Sequence, residues 1–229
     1  MQQYSSKRSS LHVLFILILS FLLISPLNAT NGYFSHGYGL KYKAMGGAGV
    51  ALPLSSFTVA QNPGGLVFVD SRFDINLALF NPNRQYTVTG LPSQMPNTFG
   101  LVPGTVESGA TAFALPSIGV ARLLGDNENI AVGLALYGNG GMNTTYEAST
   151  FHGSSPTGVD LAQIFLAPTF AMKFGERHGI GITPILAYQR FESRGLQAFG
   201  NFSSDPEHLT NMEHDNCFGL GARFGYYGE

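Results

Sequence analysis

The sequence predicts an all-β chain, a transmembrane antiparallel β-barrel. Three observations carry this. Only 11% of the residues are charged, against roughly 25% in ordinary soluble domains, and 29 glycines with a 12% aromatic fraction shift the composition further from that norm. Stretches of two-residue alternation recur through the chain, each with one greasy face and one small or polar face. The connections between them run long, short, long, short, long, as in barrels whose turns are tight at one membrane face and extended at the other.

The first element is a leader. Lys7 and Arg8 precede an apolar run, Leu11–Ile24, and "SPLNA" ends in the small residue Ala29, the pattern of a signal peptide cleaved near residue 29. The run is shorter than the roughly 20 residues of a spanning helix, and no second run of that kind follows. The formal net charge of −2, more negative once Lys7 and Arg8 are lost, gives no reason to expect nucleic acid. One cysteine, Cys217, excludes an intramolecular disulfide framework and a Cys-based zinc site.

Between leader and first strand, "AMGGAGVALPLSSFTVAQNPGGL" (44–66) is apolar yet keeps neither a helical nor a strand period. Irregular backbone of this kind is tolerated at membrane depth only inside protein or beside water, and Ser55 is placed to cap a short turn that Asn62-Pro63 ends. Alternation then begins at "RFDINLALF" (72–80) and resumes in "NIAVGLALY" (129–137), "QIFLAPTFAMKF" (163–174), "GIGITPILAYQRF" (179–191) and "CFGLGARFGYY" (217–227). Pro116, Pro168 and Pro184 fall within strands, where a missing N–H implies an edge, a bulge or a kink. "LLGDNEN" (123–129) and "GERH" (175–178) are tight turns, whereas 91–110, 140–160 and 194–215 are long and polar, which assigns the short turns to the periplasmic side and the long loops to the outside.

The order of a signal peptide, "NGYFSHGYGLKYKAMGGAGVA", "AQNPGGL", a long strand, then "ALPSIGVARLLGDNENIAVGLALYGNGG" and Tyr146–Glu147 resembles the FadL/TodX family of outer-membrane transporters for long-chain fatty acids and other hydrophobic compounds. The resemblance runs over 31–227 and lies in order and spacing. It implies a fourteen-stranded barrel, of which about six strands are present here, with the N-terminal segment folded inside as a plug (hatch). The implied division is 1–29 signal peptide, 30–71 plug and 72–229 partial barrel, the N-terminal part of a longer protein. Strands are expected at about 72–89, 111–122, 130–146, 160–174 and 179–193, with a sixth from near Cys217. By the same resemblance the aromatic beside the inner pocket corresponds to Tyr33 or Phe34, Asn62-Pro63-Gly64 makes the plug turn, and Gly138, Gly140 and Gly141 kink the third strand beside a lateral opening; Phe57, among the apolar side chains of 44–66, is expected to face the ligand path. Relatives carry acidic residues ahead of the Asn-Pro element; Ser55 and Ser56 stand there in this chain, so no charge-based latch is expected.

No catalytic or cofactor pattern competes with this. The histidines lack HxH or HExxH spacing, "HLTNMEH" (208–214) reads as a solvated loop, and no GxSxG elbow is present. "GGAGVA" lacks the GxxxxGK[ST] pattern and a preceding strand. Lys173 and Arg223, on polar strand faces, are assigned to seating the plug. The expected function is non-enzymatic, passive uptake of a long-chain fatty acid or an aromatic hydrocarbon by a monomer bathed in outer-membrane lipid, with no cofactor, metal or nucleic acid. A surface adhesin or structural barrel acting through the 140–160 and 194–215 loops is the alternative, and an outer-membrane lipid hydrolase a weaker one.

Overall fold

The computed structural model describes residues 32–96, 98–147, 150–151, 156–209 and 214–229. The signal-peptide segment 1–29 lies outside them, and no helix among them is long and apolar enough to cross a membrane. The chain from Tyr33 onward forms one compact unit.

Residues 33–71 contain no strand. They carry a short helix α1 (Gly39–Ala44) and two 3₁₀ turns, η1 (Ser56–Ala60) and η2 (Pro63–Phe68). The Ser55 hydroxyl accepts from Phe57 N–H to start η1, and the Asn62 side chain accepts from Gly64 N–H to start η2 with Pro63 at its first position. Asn62-Pro63 thus ends one turn and opens the next, because proline's missing N–H is harmless only there. Tyr42 ties the irregular backbone together. Its hydroxyl pairs with Thr58 Oγ1 at 2.6 Å, donates to Leu52 O at 3.2 Å and accepts from Leu54 N–H at 3.0 Å. Burial pushes this hydroxyl above the usual tyrosine range, so it remains a neutral donor and acceptor.

Strands β1 (Arg72–Phe80), β4 (Phe113–Leu124), β5 (Ile130–Tyr146), β6 (Thr157–Phe174), β7 (His178–Arg194) and β8 (Asp215–Gly228) form one antiparallel sheet in that order. The hairpin β2 (Gln85–Val88) and β3 (Gly104–Glu107) is a separate pair. The first strand therefore ends at Phe80 and not near 89. Asn81-Pro82-Asn83 interrupts the ladder, Pro82 having no N–H to give, and Asn81 Nδ2 donates to Thr111 O as the chain leaves the sheet. The sheet is open, with β1 and β8 as its edges.

The sheet's two faces invert the arrangement of a soluble domain. The N-terminal segment covers the face that carries Ala121, Ala131, Ala135, Ala167 and Ala171, and with Tyr42, Phe57, Val59, Leu66 and Val67 these make the buried core. The opposite face carries the large side chains: Ile75, Leu77, Val132, Leu134, Phe170 and Ile182 are all exposed. Along β7 the outward positions Ile180, Ile182 and Leu186 lie between His178 and Tyr188. His178 stacks on Phe174 and bonds to Tyr226, and Tyr188 packs on Phe218. An apolar band of this height, flanked by aromatics, matches the 9–11 residues a tilted strand needs to cross the hydrocarbon. A shallow groove of about 580 Å³ between Phe170, Met172, Ile180, Ile182, Phe224 and Tyr226 opens on this outer band.

Two of the strand prolines act together. Pro168 and Pro184 face each other, and β6 and β7 are unpaired between Leu166↔Leu186 and Phe170↔Ile182, yet the register resumes unchanged. The two rings make a gap and not a bulge. On the inner face the Thr169 and Thr183 hydroxyls bridge that gap at 2.7 Å.

Leu134, 43% exposed near the middle of the band, tests the orientation. Leu134→Arg is expected to destabilise the protein by about 2–4 kcal/mol in lipid vesicles, measured by denaturant unfolding; at a comparably exposed site facing water the change would stay within about 0.5 kcal/mol.

Candidate functional site

The candidate site lies where β5 departs from β4. Their pairing runs from Leu124↔Ile130 to Ser117↔Tyr137 and stops. The next pair in register would set Pro116 against Gly138. Residues 113–116 of β4 continue to pair with β1, and residues 138–146 of β5 continue to pair with β6. The result is a window in the sheet, closed at its far end where Gly109 N–H donates to Thr145 O at 2.7 Å and Ser108 Oγ accepts from Thr145 N–H at 3.0 Å. The Arg84 guanidinium bonds to Asn143 O on the same stretch.

On the other side of β5 the window coincides with a β-bulge. Gly138 pairs Ile164 and Gly140 pairs Gln163, so Asn139 is the extra residue. With β4 gone from its other edge, β5 has backbone groups that the N-terminal segment takes up: Ser35 N–H donates to Asn139 O at 2.9 Å, and Gly141 N–H donates to Tyr33 O at 2.9 Å. Phe34 forms an isolated antiparallel bridge with Gly140. A Cβ on Gly140 would come within 2.6 Å of Tyr33 O, so glycine is required there for the approach. Gly138, Gly140 and Gly141 are thereby brought together with Tyr33 and Phe34, whose rings pack at 4.4 Å and are half-exposed. Phe57 does not join them. It is 1% exposed in the core, its ring against Gly39 and Gly119.

Asn139 also turns its side chain inward and organises a polar row. Tyr38 Oη donates to Asn139 Oδ1 at 2.5 Å, Asn139 Nδ2 to Gln163 Oε1 at 2.9 Å, and Gln163 Nε2 to Gln189 Oε1 at 2.5 Å. Tyr38, Tyr137 and Phe165 pack beside one another, the first pair tilted and the second edge-on, with centroids 4.4 and 5.9 Å apart. An aromatic floor with a few fixed polar groups suits a hydrophobic ligand carrying one polar end. No short-range sequence signal marks this row, because its members come from the plug and three strands. At the loop end Phe99, Phe151 and Phe199 form a second aromatic cluster, with centroids 5.0–5.3 Å apart, from three separate connections.

The plug is seated by a small set of contacts. Asn62 Nδ2 donates to Val50 O and to Tyr226 O, and the turn Asn62-Pro63-Gly64 lies on wall glycines. A Cβ on Gly181 would meet Pro63 O at 2.5 Å, and one on Gly225 would meet Asn62 Oδ1 at 2.1 Å. Arg223 Nη1 donates to Val59 O at 3.2 Å, and Lys173 Nζ stands 5.0 Å over the Phe68 ring. A charge-assisted latch is present after all, but with its charge on the wall. Asp74 Oδ2 accepts from Ser56 N–H at 2.9 Å and Ser56 Oγ at 2.7 Å, while Arg72 Nη2 grips Asp74 Oδ1 at 2.6 Å. Serine at 56 supplies donors to a carboxylate, where an acidic residue would have repelled it.

No protein-family model matches the chain, and no curated protein sequence matches it. Solved structures do. The crystal structure of the P. putida toluene transporter TodX superposes with a TM-score of 0.59 at 15% identity, covering 83% of this chain and 52% of that one. That of a Pseudomonas aeruginosa FadL homologue superposes with a TM-score of 0.50 at 14% identity, covering 85% of this chain and 48% of that one. At such identities the likeness is one of fold, and the chain spans about half the length of the solved structures it matches.

Removal of the latch carboxylate is expected to loosen the plug locally. Asp74→Ala should cost about 2–3 kcal/mol in the opening of η1, seen as roughly 30- to 150-fold faster amide exchange over 56–60. Asp74→Asn, which keeps an acceptor, should cost less.

Proposed function

We propose that this chain forms the plug and first wall strands of an outer-membrane transporter of the FadL/TodX kind, taking up hydrophobic small molecules passively. The observation that carries the reading is the conjunction at β5: a window between two neighbouring strands, a bulge at its margin, and an N-terminal segment hydrogen-bonded to that bulge from inside. In a wall whose outer face is apolar, such a window is a route from lumen to lipid that never exposes a hydrophobic solute to water.

In this reading the signal peptide is 1–29, the plug 30–71 and the wall 72–229, and further strands close the free edges of β1 and β8. The Phe99, Phe151 and Phe199 cluster captures ligand outside. Tyr38 and Phe165 hold it within, with the Asn139–Gln163–Gln189 row meeting its polar end. Release of Tyr33–Ser35 from β5 then clears the window. The ligand is a long-chain fatty acid or an aromatic hydrocarbon, no covalent step is involved, and the protein acts as a monomer in the Gram-negative outer membrane. His178, His208 and His214 face Tyr226, Asp205 and Asp160, not a serine, so these contacts give lipid hydrolysis no support.

Deletion of Asn139 removes the extra residue and lets the ladder close. Uptake of labelled fatty acids and aromatic hydrocarbons, measured in an outer-membrane host lacking its own transporter, is expected to fall at least tenfold while the folded protein still reaches the membrane. Uptake at the unaltered rate would count against the window as the exit route. Failure of the unaltered protein to restore uptake of any member of the panel would remove the transporter reading altogether.

A further inference from the structure

We propose that Asp160, Glu192 and His214 form a divalent-metal site on the outer face of the wall, suited to zinc. The three residues occupy one row across three neighbouring strands. Asp160 on β6 pairs directly with Glu192 on β7, and since Phe191 pairs with Asp215 at the start of β8, the register continued by one residue sets Glu192 opposite His214. One ligand atom from each of the three lies within 4.8 Å of the other two. His214 Nε2 stands 2.9 Å from Asp160 Oδ2 and 3.4 Å from Glu192 Oε2. Ligands bound to one tetrahedral zinc at 2.0–2.2 Å are separated by about 3.4 Å, so a small rotation of the imidazole admits the ion in place of the present contact.

The surroundings favour coordination over simple charge pairing. Two carboxylates directly opposite each other on adjacent strands repel, and they are only 15% and 14% exposed. Arg190 Nη2 at 3.2 Å from Asp160 and Arg194 Nε at 3.7 Å from Glu192 offset that charge from the flanks. With the acidic field cancelled, calcium and magnesium, which require many oxygen ligands and negative charge, are poorly served. A mixed imidazole–carboxylate set suits zinc and its neighbours. Three protein ligands leave a further position for water or an anion. The row sits just beyond the aromatic end of the apolar band, past Tyr188 and Phe218, so the ion would tie the start of β8, and with it the 195–213 connection, to β6 and β7. The neighbouring Glu213 lies outside the described residues and is not needed for the site.

The test uses the untagged protein in detergent, stripped with a chelator and titrated calorimetrically with zinc chloride, with cobalt(II) absorption as the spectroscopic readout. One equivalent of zinc is expected to bind with micromolar affinity, with cobalt giving the intense visible band of a low-coordinate site. His214→Ala and Asp160→Asn should each weaken binding at least tenfold, whereas His178→Ala and Cys217→Ser should leave it unchanged. Heat-modifiable migration on gels establishes that each variant is folded. Absence of saturable zinc binding by the unaltered protein would overturn the proposal, as would a folded His214→Ala variant that titrates like the unaltered one.

Discussion

The structure depends on a wall whose inner face is too small to fill its own interior. Alanines at 121, 131, 135, 167 and 171 and glycines at 133, 179, 181 and 225 leave space that only another segment can occupy. The N-terminal segment occupies it at backbone contact distance: Cβ atoms at Gly179 and Gly181 would meet Gly64 O and Pro63 O at 2.3 and 2.5 Å. Irregular backbone is stable there because its polar groups find partners, among them Asp74 for Ser56 and Arg223 for Val59. The large side chains excluded from this interior project outward, where an apolar band is an asset only in lipid. One choice of residue size thus sets both the plug and the membrane-facing surface.

The same accounting explains the window. A sheet without a neighbour on one side must dispose of its free N–H and C=O groups, and at β5 some of them are met by Tyr33 and Ser35. Those bonds join the start of the plug to the stretch where β5 parts from β4. Such a junction can open without disturbing the core around Tyr42 and Leu66, which is the property a lateral exit needs. The Pro168–Pro184 gap between β6 and β7 is different in kind, since Thr169 and Thr183 bridge it and the register is preserved on both sides.

Much of this was legible in the sequence where the cause is local. The alternation in "NIAVGLALY" and the glycines after it mark β5 with the bounds 130–146, and Asn62-Pro63-Gly64 announces a turn by its own chemistry. The sequence reading went wrong where the cause is a partner far along the chain. The continuation from Phe80 to Thr89 looks like one strand until the crossing into the β2–β3 hairpin is known. Ser56 shows no charged partner until register brings Asp74 to it. The row formed by Asp160, Glu192 and His214 is invisible for the same reason: its members are far apart in sequence and meet only through two strand pairings.

The central claim is that Tyr33–Ser35 leaves β5 for a ligand to pass. Tyr33→Cys and Gly141→Cys, introduced together in a Cys217→Ser background, place two thiols on the hydrogen-bonded pair beside the Phe34–Gly140 bridge, where an antiparallel Cα separation of about 5.5 Å suits a disulfide. With the bond formed, uptake of a labelled hydrophobic solute is expected to stop, and reduction is expected to restore it. Uptake that proceeds at the same rate in the oxidised and reduced protein would contradict the claim directly.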